Sequence, residues 1–215
     1  MLAKNPKNVY SDLFFITRLG KGHPNNMTIM VIGQNARIET KFHSEALSNQ
    51  QNYYNGYLEM QVYGVNNGHK RNSSPFWKFI RDLKFHEYEI IWNNIDKINR
   101  IENGKFKDAT EGDELIINSV YGEDNKTLLE REIEYFNPDI LLFLTGPHYI
   151  KSMSSSLQID EAVLIGMKPS RSETIVDLTS TLNIGVKAFW TYHPNYLNRT
   201  SGFSKVIEYV NKMTA

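Results

Sequence analysis

The chain has 215 residues, with 24 acidic and 24 basic side chains, so its formal net charge is zero; 40% hydrophobic and 22% charged content is ordinary for one globular domain over 1–215. The absence of cysteine excludes disulfides, thiol catalysis, zinc ribbons and iron–sulfur clusters, and the charge balance lacks the basic excess of a tight non-specific DNA binder, which leaves only a local basic patch. No apolar run approaches the roughly 20 residues a membrane helix needs, and Met1–Lys7 lacks the apolar centre of a signal peptide; no membrane partner and a cytoplasmic location are expected.

Tyr10–Leu19 predicts a short aromatic helix, and Gly20–Asn26, dense in breakers, a loop. Met27–Ile32 is a continuous apolar run with β-branched residues, the pattern of a strand buried on both faces, and Gly33 is expected to end it. Phe42–Val62 is polar and tyrosine-rich and predicts helix in part. Asn66–Ser74 reads as a loop with a small basic cluster. Ser74 is placed as an N-cap and Pro75 at the first helical position; Phe76, Phe79, Ile80 and Leu83 then fall at i, i+3, i+4 and i+7.

Glu89–Trp92 predicts a short buried strand, Asn103–Gly112 a polar loop, and Glu114 the start of a helical turn. Lys126–Phe136 predicts a helix stopped by Asn137 and Pro138. Ile140–Thr145 is a second central-strand run, ended by Gly146. Residues 157–182 alternate weakly and predict edge strands, and Val186–Tyr192 predicts a further strand. Phe203, Val206, Ile207, Val210 and Met213 keep the spacing of a closing helix. This order of elements implies an α/β fold with a mostly parallel central sheet covered on both faces.

Three apolar runs stop abruptly in polar residues: the first at Gly33, Gln34 and Asn35, the second at Asn93 and Asn94, and the last at His193. In open α/β sheets the carboxyl ends of strands form the ligand site, so one pocket for a flat, polar, uncharged group such as a nucleobase is expected. Gly33–Ala36 is neither a phosphate-binding loop nor a dinucleotide fingerprint. The Asn35 amide cannot act as a general base. Its carbonyl oxygen can hold a water, which suffices when the leaving group departs largely before water attacks; the other reading is a turn residue capping the next segment.

Asn94 offers one acceptor and two donors in a plane, the set needed to pair with the edge of a base. Strand parity admits only one of Asn93 and Asn94, and a strand-end asparagine can also satisfy its own backbone. His193 is either structural or a hydrogen-bond donor to a base that leaves as an anion. His148 reads as a packing or loop residue. No Gly-x-Ser-x-Gly elbow is present, and the six histidines share no helix face, so neither a serine triad, a metal nor a cofactor is expected.

Taken in order, Gly33-Gln34-Asn35-Ala36, Asn94 within Trp92–Lys97, the run Asn137–Gly146 and His193-Pro194-Asn195 resemble the motif regions of the uracil-DNA glycosylase superfamily. The resemblance covers roughly residues 28–213 and is nearest to a bacterial branch with a Gly-Gln start and a Tyr-His-Pro-x-Tyr-Leu end. It implies a three-layer α/β/α sandwich and a cofactor-independent hydrolase that cleaves the N-glycosidic bond of a flipped-out, damaged or deaminated base in DNA repair. It implies that Gly33 and Gln34 line the site, Asn35 positions the water, Asn94 reads the base edge and His193 stabilises the departing base. Asn195 would stand where the family holds a phosphate, and Leu197 where it can place an intercalating wedge.

The chain departs from that pattern in several places. Asn35 replaces the aspartate of the most active branch, Ala36 and Arg37 stand where proline and a small or aromatic residue are usual, and Asn195 replaces a serine. Ser48 occupies the position of the base-stacking aromatic, with Phe42 or Tyr53 as substitutes. DNA binding would require Arg37, Lys70, Arg71 and Arg199 to gather at the pocket mouth. A non-catalytic nucleobase- or nucleotide-binding or protein-interaction module on the same scaffold is the alternative, and a hydrolase of free nucleosides or nucleotides is a third reading.

Overall fold

Strands and helices alternate along the chain, as its apolar runs require. A computed structural model describes residues 9–10, 16–19, 27–35, 56–64, 72–85, 88–103, 105–107, 125–182 and 184–214. The first half contains strands β1 (Val9–Tyr10), β2 (Thr17–Leu19) and β3 (Thr28–Asn35), helices α1 (56–63) and α2 (Pro75–Phe85), and strands β4 (Glu89–Asp96), β5 (Arg100–Glu102) and β6 (Lys105–Lys107). The second half contains α3 (Leu128–Phe136), β7 (Ile140–Phe143), a 3-10 turn (Pro147–Tyr149), α4 (Ile150–Leu157) and α5 (Glu161–Met167). It ends with β8 (Ile175–Asp177), α6 (Thr179–Leu182), β9 (Lys187–Thr191), α7 (Pro194–Arg199) and α8 (Gly202–Thr214).

Six strands form the main sheet in the order β2-β4-β3-β7-β9-β8, and β1, β5 and β6 form a small antiparallel sheet. The four inner strands are mutually parallel, and the edge strands β2 and β8 run antiparallel to their neighbours. From β3 the chain steps first to β4 on one side, then crosses over β3 to β7 on the other. Such a reversal, here at the carboxyl ends of β3 and β7, is where open α/β sheets bind ligands.

Strand parity divides the interior into two cores. Ile29 and Val31 face one, with α2, α7 and α8; Met30 and Ile32 face the other, with α3, α4 and α5; all four are fully buried. The sheet therefore has apolar layers on both faces, which explains the unbroken hydrophobic character of its inner strands. Helix ends follow their capping residues. Ser74 Oγ accepts from Trp77 N–H at 3.5 Å at the start of α2. Thr127 and Glu130 form a reciprocal capping box on α3, which Asn137 closes in a left-handed conformation.

Several expectations are corrected. Within Tyr10–Leu19 the described residues are extended, not helical: Thr17 and Leu19 point inward and β2 pairs with β4 through Thr17↔Trp92 and Leu19↔Ile90. An open sheet edge overrode local propensity there. Gly33 does not end β3, because the ladder continues through Gly33↔Asn94 and Asn35↔Asp96. The expected loop after Asn103 includes β6, the return arm of a hairpin with β5. Residues 157–182 hold one edge strand, β8, and are otherwise mainly helix and loop. The turn expected at Glu114 lies outside the described residues.

Candidate functional site

Gly33 and Asn94 are register partners on adjacent parallel strands. A Cβ placed on Gly33 would lie 2.5 Å from Asn94 Oδ1 and 3.5 Å from Phe76 Cε2. Phe76, in the first turn of α2, lies 6.2 Å from the His193 ring, centroid to centroid, with the two planes 19° apart. Phe76 is thus a common neighbour of Gly33, whose register partner lies 61 positions on, and of His193, 160 positions on. Only glycine permits this approach of β3 to the Asn94 amide.

Parity separates the two asparagines. Asn94 shares the face of Ile90 and Trp92, towards α2. Asn93 faces the other layer, where its amide nitrogen donates to Glu132 Oε2 at 3.1 Å and its Oδ1 accepts from Lys97 Nζ. Lys97 and Glu132 are paired at 2.6 Å. Burial pushes the Lys97 ammonium below its usual range, and Glu132 pulls in the opposite direction. Asn93 therefore belongs to a buried polar network behind the site.

Gln34 bridges the carboxyl ends of β3 and β7, its amide nitrogen donating to the Thr145 carbonyl at 2.7 Å. Asn35 Nδ2 donates to the Tyr149 hydroxyl at 3.2 Å. Both side chains are half-buried and bond to partners 111 and 114 residues on, in the segment that follows β7. Thr145 also accepts from Trp190 Nε1 at 3.0 Å, which ties the end of β7 to β9.

His193 is the N-cap of α7, and its Nδ1 accepts the Asn195 backbone N–H at 3.2 Å. An acceptor nitrogen carries no proton, so the neutral ring bears its hydrogen on Nε2 as a donor. Desolvation lowers the His193 pKa below the usual 6.5 and favours that neutral form. Gly146 has φ of +69° and its missing Cβ would lie 3.5 Å from the His193 backbone nitrogen. A side chain at 146 would be strained in a conformation that glycine adopts freely.

Leu197 is buried, not exposed as an intercalating wedge would be. Its side chain has no exposure, and its Cδ2 would lie 2.8 Å from a Cβ on Gly202. Pro194 and Leu197 are one turn apart on the buried face of α7, so helical periodicity turns Leu197 into the core. Asn195 is exposed and His148 lies exposed in the 3-10 turn. Arg199 is exposed in the last turn of α7. Ala36, Arg37, Phe42, Ser48, Tyr53, Lys70 and Arg71 lie outside the described residues.

Phe76, Thr145 and Tyr149 were not singled out by sequence as site residues. Phe76 carries the same periodic signal as the core positions of α2, and only its place in the first turn distinguishes it. Among the described residues no group of three or more His, Asp or Glu side chains could hold a metal ion, and no helix is long and apolar enough to cross a membrane. A cleft of about 310 Å³ lies elsewhere, between α3 and the segment entering β9, and is lined in part by Ile133, Leu157, Leu182 and Val186. Asn137 and Val186 in its lining place it towards the amino ends of β7 and β9, away from the carboxyl ends that carry Gly33, Asn94 and His193. Compared with known proteins, the chain matches no family model and no curated protein.

Proposed function

We propose that the site formed around Gly33, Asn94 and His193 binds a nucleobase and that the protein cleaves the N-glycosidic bond of a flipped-out, damaged or deaminated base. The carrying observation is that Phe76 lies beside both Gly33, the register partner of Asn94, and the His193 ring, at the carboxyl ends of strands of one parallel set. The order of the motif regions on those strand ends supports a uracil-DNA glycosylase-like fold. As the bond from C1′ to the base nitrogen breaks, negative charge develops on the base, and the Nε2–H of neutral His193 donates to it. A water held by Asn35 adds to C1′, and its proton passes to solvent. Asn94 is buried, so entry of a base requires local opening around Phe76.

Excision of uracil, hypoxanthine and xanthine from single- and double-stranded oligonucleotides tests the chemistry. His193→Ala is expected to slow base release by about 10²–10³, the loss seen for other oxyanion donors. Full activity in a folded His193→Ala protein refutes the assignment. The zero net charge and the amide at position 35, where a carboxylate would assist water attack, favour as second reading a module that binds a nucleobase without cleaving it. Binding of free base with no excision from any oligonucleotide selects that reading.

A further inference from the structure

A stripe of aromatic and basic side chains leads away from His193. Tyr196 lies one helical turn beyond it on α7, with its N–H on the His193 carbonyl at 2.8 Å. The Tyr192 and Tyr196 rings are stacked, 4.2 Å between centroids and 29° between planes. Arg199 follows Tyr196 by three positions on the same helix, and Arg171 stands two residues after Pro169, whose carbonyl accepts from the Tyr192 hydroxyl.

The loop that carries Arg171 is held in shape. The Tyr192 hydroxyl donates to the Pro169 carbonyl at 2.8 Å and the Thr191 hydroxyl to the Thr174 carbonyl at 2.6 Å, so both ends are tied to the end of β9. Between them Ser170 N–H donates to the Glu173 carbonyl at 2.8 Å, and Ser170 Oγ accepts from Glu173 N–H at 3.0 Å. Lys168, Arg171 and Arg199 are all exposed, and none has a carboxylate within ion-pair distance among the described residues. The one carboxylate of the turn, Glu173, acts on Tyr209 of α8. Three exposed cations without an ion pair among the described residues thus stand on the helix and the loop that carry the aromatic pair, and the hydrogen-bonded loop lowers the ordering cost of binding.

We infer that the stripe Arg171–Tyr192–Tyr196–Arg199, with Lys168 beside it, binds an unpaired polynucleotide strand next to the site, its phosphates on the cations and a base on the Tyr196 ring. The inference rests on the nucleobase reading of that site and adds the state of the strand. Aromatic faces accept any unstacked base, whereas a paired base keeps both faces covered. Opening a duplex calls for an apolar side chain that enters the stack; on α7 the only aliphatic candidate, Leu197, is fully buried. Three cations also suit a short run of phosphates better than a duplex footprint of six to ten contacts.

The test is anisotropy of labelled, undamaged oligothymidylate, oligouridylate and a mixed-sequence duplex, titrated with the full chain across salt concentrations. Either single strand is expected to bind at least tenfold more tightly than duplex, with log K falling against log salt at a slope of about −2, or roughly 0.7 for each of three cations. Arg171→Ala should reduce that slope by about 0.7. Tyr196→Ala should weaken binding roughly 5- to 150-fold, the fold-change of about 1–3 kcal/mol per stacked base. Arg171→Glu, on an exposed loop, gives a second variant that folding does not confound. Equal or tighter duplex binding, no single-strand binding, or Arg171→Glu and Tyr196→Ala proteins that bind like wild type each overturn the inference. The arms separate it from the catalytic reading: strand binding without excision refutes only the chemistry, and excision or free-base binding without strand binding refutes only the stripe.

Discussion

Gly33→Ala places one methyl group at the centre of the candidate site. Its carbon would stand 2.5 Å from Asn94 Oδ1, which is 0.9 Å inside the 3.4 Å at which ordinary contact begins. Asn94 is 1% exposed, and Phe76 lies 3.5 Å from the same point, so the amide has little room to rotate away. Overpacking of this kind costs about 1–3 kcal/mol. For a chain of this length that lowers Tm by roughly 2–12 °C. Displacing the amide should also weaken nucleobase binding about 5- to 150-fold, since a bidentate base contact is worth roughly 1–3 kcal/mol. Thermal denaturation with calorimetric titration of free base reads both effects. A double-mutant cycle isolates the cause: in an Asn94→Ala background the stability cost of Gly33→Ala should fall by more than half, because the clashing oxygen is gone. An undiminished cost in that background refutes the contact, and unchanged base affinity in folded Gly33→Ala refutes the role of Asn94 in recognition.

Two further outcomes follow from the titratable groups around the candidate site. Burial depresses the His193 pKa, so between that lowered value and the usual 6.5 the unfolded chain binds more protons than the folded one. The stability from neutral His193 is therefore complete above about pH 6.5 and is lost as pH falls through the lowered folded value, when Nδ1 can no longer accept the Asn195 N–H. The Tm difference between wild type and His193→Asn, which keeps a capping side chain, should shrink or reverse over that window; a pH-independent difference refutes the assignment. Behind the site, Lys97→Met leaves Asn93 and Glu132 without their cation. It should cost about 3 kcal/mol, the low end for buried pairs because the Glu132 side chain is 14% exposed. Lys97→Met combined with Glu132→Leu should recover most of that loss in urea denaturation; a double variant no more stable than the single one contradicts the pairing argument.

Elements whose signals are local were legible along the chain. Continuous apolar runs marked β3, β7 and β9 because strands covered on both faces cannot alternate. The Ser74-Pro75 cap marked α2, and spaced apolar residues marked α8. Abrupt polar ends after those runs marked Gly33, Gln34, Asn94 and His193 as a set. Tertiary structure decided what depends on partners remote in the chain. β2 is a strand because the edge of β4 was open to it, and Gly33 continues a strand because Asn94 lies opposite. Parity against two unequal layers sent Asn94 towards Phe76 and Asn93 towards Lys97. Leu197 is core because Gly202 lets α8 close over it, and Tyr192 meets the Pro169 carbonyl only because the end of β9 holds the loop after α5. Periodicity reports which face a residue occupies, but only the packed sheet and helices determine what that face meets.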